Sequence, residues 1–145
     1  MVTKRRVVIT GVGAVTPLGI GAKESWQALC QGKSGVARIT KFDPSGFKSQ
    51  IAAEVKDFHP EDFLDKKKIR IIGTVILYPE VATRMALDDA GLPINDGNAA
   101  RVGAIIGTCI GGLTTYEKNL LSLKEEGPDS ISPFFIPSFI PNMAV

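Results

Sequence analysis

Arg5-Arg6-Val7-Val8-Ile9-Thr10-Gly11-Val12-Gly13 joins a basic start to an unalternated apolar run and then to two glycines. A β-branched run without polar alternation predicts a strand over Arg5 to Gly11, buried on both faces as in a parallel sheet. Two other readings of the stretch fail on its own residues. Lys4, Arg5 and Arg6 before an apolar segment imitate a secretion signal, but the β-branched residues, the glycines and Pro17 suit a strand entering a turn. Gly11-Val12-Gly13 imitates a dinucleotide fingerprint. Its third glycine would fall at Thr16, next to Pro17, and no acid closes a second strand about 20 residues on.

Outward from this strand the signals alternate. Lys23 to Gln31 predicts a helix on which Trp26, Leu29 and Cys30 share a face, stopped by Gly32. Residues 34–50 are loop-like around Pro44, Ser45 and Gly46, and Ile51 to Val55 predicts a short strand. His59-Pro60-Glu61-Asp62 predicts a helix start, with proline near its first position and acids in the first turn. Glu80 to Ala90 predicts a helix ended by Gly91 and Pro93. Val102 to Gly107 predicts a second buried strand, and Leu113 to Glu125 a further helix. Strand and helix thus alternate, predicting an α/β fold with a mixed or parallel sheet covered by helices.

Among 145 residues, no apolar run reaches the roughly 18 that a membrane helix needs. A net charge of +2 is too small to argue for nucleic-acid binding. Cys30 and Cys109 make no disulfide framework, so a reducing, cytoplasmic setting is expected. The single histidine, His59, is remote in sequence from both cysteines, which argues against a zinc site. His59 reads as a solvent-facing residue beside a proline turn rather than a catalytic base. Cys30 reads as a small core residue. Cys109, at a strand-to-helix turn among glycines, has the setting of a nucleophile elbow but no basic partner nearby in sequence. The tail from Pro128 to Met143 holds Pro128, Pro133, Pro137 and Pro141 with Phe134, Phe135 and Phe139. Its prolines oppose regular structure while its aromatics oppose exposure, which predicts a partner surface.

Several motifs in order resemble one family. They are Lys4-Arg5-Arg6-Val7-Val8-Ile9-Thr10-Gly11-Val12-Gly13-Ala14-Val15-Thr16-Pro17-Leu18-Gly19, Gly32-Lys33-Ser34-Gly35-Val36 with Phe42-Asp43, and Ala52-Ala53-Glu54-Val55-Lys56-Asp57-Phe58. Ala90-Gly91-Leu92, Arg101-Val102-Gly103, and Gly107-Thr108 with Ile110-Gly111-Gly112 follow. Ser132-Pro133-Phe134-Phe135-Ile136-Pro137 with Pro141-Asn142-Met143 comes last. Together they resemble the β-ketoacyl-[acyl-carrier-protein] synthases, in the elongating type II branch.

The resemblance implies a thiolase-like α/β fold, in which two similar halves stack as αβαβα layers. Residues 1–145 would cover most of the first half. It implies a decarboxylative Claisen condensation run by a cysteine and two histidines, all lying beyond Val145, so that no catalytic residue falls within this chain. Cys109 matches a family glycine and is not expected to be the nucleophile. Ile110 matches a gating residue of the acyl pocket. Phe135 matches an aromatic residue lining that pocket at the interface of a homodimer. Lys67 and Arg70 match basic positions that meet the acidic acyl carrier protein; otherwise Lys66-Lys67-Lys68-Ile69-Arg70 would read as a solvated face. No cofactor or metal is implied. A silent relative of the chain-length-factor type, sharing the fold without the cysteine, is the alternative, and a stand-alone binding fragment is a third. Ile71 to Val81 departs from the family pattern. A single helix over residues 75–90 is still expected, with Pro79 tolerated only in its first turn. Ile110 and Phe135 are expected to be largely buried and near one another, with the tail at a two-fold interface.

Overall fold

Thr16-Pro17-Leu18-Gly19 turns the chain back on itself: the Thr16 hydroxyl accepts the Leu18 N–H at 3.1 Å, and Val15 pairs with Ile20. This hairpin, β1 (Val15–Thr16) and β2 (Gly19–Ile20), leads into helix α1 (Ala22–Cys30). A second hairpin, β3 (Val36–Arg38) with β4 (Ile51–Ala53), follows. Then come helices α2 (Lys66–Ile71), α3 (Thr74–Asp89), α4 (Leu113–Glu126) and α5 (Phe135–Phe139). Short 3-10 turns lie at Pro60–Asp62, Ala99–Arg101, Pro128–Ser130 and Pro141–Ala144. The computed structural model describes residues 4–144. They form two units: the chain up to Asp57 with Ala82–Pro93, and Phe58–Val81 with the chain from Ile94 onward.

In the first unit, the Ser25 hydroxyl on α1 bonds Thr16 Oγ1 at 2.9 Å and the Gly19 carbonyl at 3.2 Å, which ties the helix to the first hairpin. Gly32, at φ +67°, ends α1; its N–H reaches the Leu29 carbonyl and Lys33 N–H reaches that of Ala28. The second hairpin is closed by Glu54. Its carboxylate accepts the Thr40 hydroxyl at 2.6 Å and the Thr40 and Lys41 N–H groups. The Thr40 hydroxyl, against a smaller opposing effect of burial, holds the Glu54 carboxyl below the ordinary glutamate value.

The two glycines of the opening stretch have a packing reason. A Cβ at Gly13 would lie 1.9 Å from the Ala82 carbonyl oxygen, and one at Gly11 would lie 2.2 Å from that of Ala86. Ala82, Ala86 and Ala90 recur every fourth residue, so small residues meet small residues along one helix face. Val12 N–H donates to Asp89 Oδ2 at 2.9 Å between them. Gly11-Val12-Gly13 is therefore a close backbone approach to a helix, not a phosphate cradle.

In the second unit, Ile76, Leu77 and Val81 of α3 are buried with Leu64. Phe58 stands edge-on to Tyr78 at 5.0 Å between centroids. Gly127, at φ +89°, ends α4. The α5 segment is fixed by Ser138, whose hydroxyl donates to the Ile71 carbonyl at 2.8 Å. Gly73 and Gly112 leave room for the Ser138 carbonyl, which would stand 2.4 and 2.7 Å from a Cβ at those positions.

Several expectations hold: α1, β4, α4, the Pro60 turn and the Gly91 stop at φ +59° all lie where the sequence places them. Helix α3 runs unbroken through the strand-like Val75-Ile76-Leu77, but Pro79 is its sixth residue, beyond the first turn. Other expectations are corrected. Arg5–Gly11 and Val102–Gly107 form no strand ladder, and Val7, Ile9 and Ile105 are 90%, 87% and 100% exposed. A β-branched run needs neighbouring strands to become a strand, and among the described residues none pairs with it. Both hairpins are antiparallel, so the expected mixed or parallel sheet is absent among the described residues. Trp26, Leu29 and Cys30 are exposed; Ala28 is the buried residue of α1, and Cys30 is not a core residue. The tail is not irregular throughout. It forms α5 around Pro137, because a proline in the first turn of a helix removes no intrahelical bond.

Candidate functional site

Helix α2 sorts its cations by angle. At about 100° per residue, Lys66 and Arg70, and Lys67 with Arg70 and Ile71, fall on neighbouring faces at i+3 and i+4, while Lys68 is turned away. Among the described residues, Lys66, Lys67, Arg70, Ile71 and Phe134 line a cleft of about 410 Å³. Lys68 is instead engaged by Glu80 of α3, Nζ to Oε1 at 2.7 Å. The two carrier-facing candidates, Lys67 and Arg70, therefore share one cleft, and the third lysine of the run is withdrawn from it. None of the described residues in the lining is acidic, and this cleft suits an anionic surface that also carries an apolar group.

The acyl-pocket candidates are placed differently. Phe135 is half-buried in a stack with Phe139, at 5.7 Å, and with Tyr116 of α4, at 6.4 Å. Gly112 N–H donates to the Phe139 carbonyl at 3.0 Å, so the turn after Ile110 lies against the tail. The Ile110 side chain is nonetheless 60% exposed. The expected joint burial of Ile110 and Phe135 is not met within this chain: turn and tail adjoin, but Ile110 is exposed while Phe135 is half-buried. An adjacent cavity of about 430 Å³ is lined by Gly111, Gly112 and Leu113 with Ile69, Ile72 and Leu77, and excludes Ile110.

His59 is solvent-facing, with Nδ1 3.8 Å from Glu61. Cys109 is exposed and, like Cys30, is a free thiol. Among the described residues no three His, Cys, Asp or Glu side chains converge as a metal set would. No helix among them is long and apolar enough to cross a membrane. Sequence reasoning missed Phe134 as part of the basic cleft, Tyr116 as the partner of the tail phenylalanines, and the Lys68–Glu80 pair. The only available signal was the i+4 spacing within α2; the other partners are remote in sequence.

The family model described as the β-ketoacyl synthase N-terminal domain matches residues 4–145. The chain belongs to the β-ketoacyl synthase family. A 3-oxoacyl-[acyl-carrier-protein] synthase 2 of Coxiella burnetii (strain RSA 493 / Nine Mile phase I) is 54% identical over 141 residues, covering 97% of this chain and 34% of the relative. This ketosynthase chain thus spans about a third of the length of the curated relatives it matches. Among solved structures, the ishigamide ketosynthase/chain length factor superposes with a TM-score of 0.80 at 30% identity, over 98% of this chain and 36% of the other. A type II polyketide ketosynthase solved with its acyl carrier protein and a bound hexaketide gives 0.78 at 26% identity, over 97% and 37%. The thiolase-like α/β class expected from the motifs is therefore borne out at the level of the chain trace.

Proposed function

We propose that this chain is the N-terminal part of an elongating 3-oxoacyl-[acyl-carrier-protein] synthase, which docks its carrier at Lys67 and Arg70. The observation that carries the reading is the convergence of Lys66, Lys67 and Arg70 on one cleft with no acid among the described residues that line it. A cluster of this kind steers an acidic partner and sets its orientation, and its effect weakens with salt. The reaction is a decarboxylative Claisen condensation. A thiolate takes the acyl group from the carrier thioester, malonyl carrier loses carbon dioxide, and the resulting enolate displaces the thiolate to give the 3-oxoacyl thioester. Neither Cys30 nor Cys109 serves as that thiolate, so the nucleophile and its two histidines belong to the rest of the protein. Ile110 and Phe135 take pocket-lining roles there. The exposed Val7, Ile9 and Ile105 pair as strands with segments outside this chain. The intact protein acts as a cytoplasmic homodimer, with the tail at the subunit interface.

The test is acyl transfer and condensation by the intact protein with acyl and malonyl carrier, read by mass spectrometry of the protein and its product. An acyl-enzyme adduct and a 3-oxoacyl product are expected. Cys109→Ala leaves both in place. Lys67→Glu with Arg70→Glu weakens carrier binding at low salt by about tenfold or more and flattens its salt dependence. Unchanged affinity at low salt refutes the docking site. A second reading, a silent partner subunit, draws support from the ketosynthase/chain length factor neighbour at 30% identity. It is chosen if the intact protein forms no adduct yet enables condensation by a second ketosynthase.

A further inference from the structure

Helix α2 has little of its own to hold it. It is six residues long, Asp65 before it makes no side-chain cap, and it opens on Lys66, Lys67 and Lys68 with no acid in the first turn, against the helix dipole. Contacts from outside fix it. Lys68 is paired with Glu80 of α3. The Ile71 carbonyl, one of the acceptors that a helix C-terminus leaves open, takes the hydroxyl of Ser138 at 2.8 Å. Ser138 is a well-placed donor. It is buried, its N–H donates to the Phe134 carbonyl at 3.0 Å, and Gly73 and Gly112 pack closely on its own carbonyl. Its hydroxyl also meets the Phe134 carbonyl, which fixes the rotamer from within the tail. The next residue, Phe139, accepts the Gly112 N–H at 3.0 Å and stacks with Phe135 and Tyr116. The weak helix is thus capped by a serine that its own surroundings hold still.

We infer that Ser138 is a positioning residue for the carrier-dependent reaction: from the tail it caps the C-terminus of α2 and so holds Lys67 and Arg70 in one register before the carrier arrives. It acts through the Ile71 carbonyl and not by touching the carrier. This rests on the proposed docking reading and adds to it the element that orders the docking helix. Cations on a loose turn still attract an acidic partner, but they lose more freedom when it is seated than cations on a fixed helix do. Removing the cap therefore weakens use of the carrier and leaves the chemistry of the acyl group alone.

The test compares two acyl donors on the intact synthase, acyl carrier protein and acyl-N-acetylcysteamine, a thioester with no protein to dock. Formation of acyl-enzyme is followed by mass spectrometry, which also counts the active protein. Ser138→Ala is expected to raise the KM for acyl carrier by about threefold to tenfold, the worth of one hydrogen bond, at unchanged kcat. Its reaction with the carrier-free thioester is expected to match wild type. Ser138→Thr keeps the hydroxyl and is expected to keep the wild-type KM. Lys67→Glu is expected to raise the KM for carrier and spare the carrier-free reaction. An unchanged KM in Ser138→Ala, alongside a raised one in Lys67→Glu, overturns the positioning role and leaves the docking site standing. An unchanged KM in Lys67→Glu overturns the docking site and the inference with it. Equal losses with both donors in Ser138→Ala, or no acyl-enzyme from either, overturn the inference by showing that Ser138 only supports the fold. A KM in Ser138→Thr as high as in Ser138→Ala also overturns it, because the hydroxyl is then not the cause.

Discussion

Pro79→Ala is expected to stabilise the protein. Pro79 is the sixth residue of α3, so its missing N–H leaves the Val75 carbonyl without its helical donor. In a helix interior, proline is about 3 kcal/mol less favourable than alanine. Two effects oppose the gain. Alanine loosens the unfolded chain, at about 0.4–1 kcal/mol. The half-buried ring also gives up apolar contact, at about 25 cal/mol for each Å² returned to water. A net gain of about 1–2 kcal/mol remains. Urea unfolding of the intact protein reads it directly. With a slope of about 1–3 kcal/mol per molar, the midpoint rises by roughly 0.5–1 M at unchanged slope. Pro79→Gly restores the same donor but is about 1 kcal/mol poorer than alanine in a helix, so its gain is smaller. An unchanged or lower midpoint in Pro79→Ala refutes the reasoning, because a helix continuous through residue 79 must gain the bond.

Gly13→Ala places a methyl 1.9 Å from the Ala82 carbonyl oxygen, a backbone atom that cannot swing aside. It is expected to cost about 1–3 kcal/mol or more in chemical unfolding. Ile76 is 2% exposed, and Ile76→Ala is expected to cost about 2–5 kcal/mol while Ile76→Val costs about 0.5–1.5 kcal/mol; equal effects would show a loosely packed site. Glu54 carries a pH signature. Its carboxyl is held below the ordinary value of 4.5 in the fold, so the unfolded chain binds that proton more readily. Its contribution is present above that value and is lost as pH falls through the lower folded value. Wild type and Glu54→Gln are expected to differ in urea midpoint at pH 7 and to converge in acid; a gap that widens in acid contradicts this.

Local chemistry alone determined much of this chain. Gly32, Gly91 and Gly127 adopt the left-handed conformations that end helices, and the proline and acids at Pro60–Asp62 start a turn, because such signals need only neighbouring residues. The order of motifs carried the family, since long matched stretches require no knowledge of contacts. Tertiary structure decided the rest. Whether Val7-Val8-Ile9 and Val102 to Gly107 become strands depends on neighbours remote in sequence, and β-branching cannot supply those neighbours. Thr16 and Pro17 already spoke against a phosphate loop at Gly11 and Gly13, but only the fold supplied the reason for the two glycines, the close approach of Ala82 and Ala86. Lys66-Lys67-Lys68-Ile69-Arg70 looked uniform until Glu80 claimed Lys68 and Phe134 joined Lys66, Lys67 and Arg70. Charge and periodicity along a chain state what a residue can do, and only the fold brings its partner within the few ångströms at which short-range forces act.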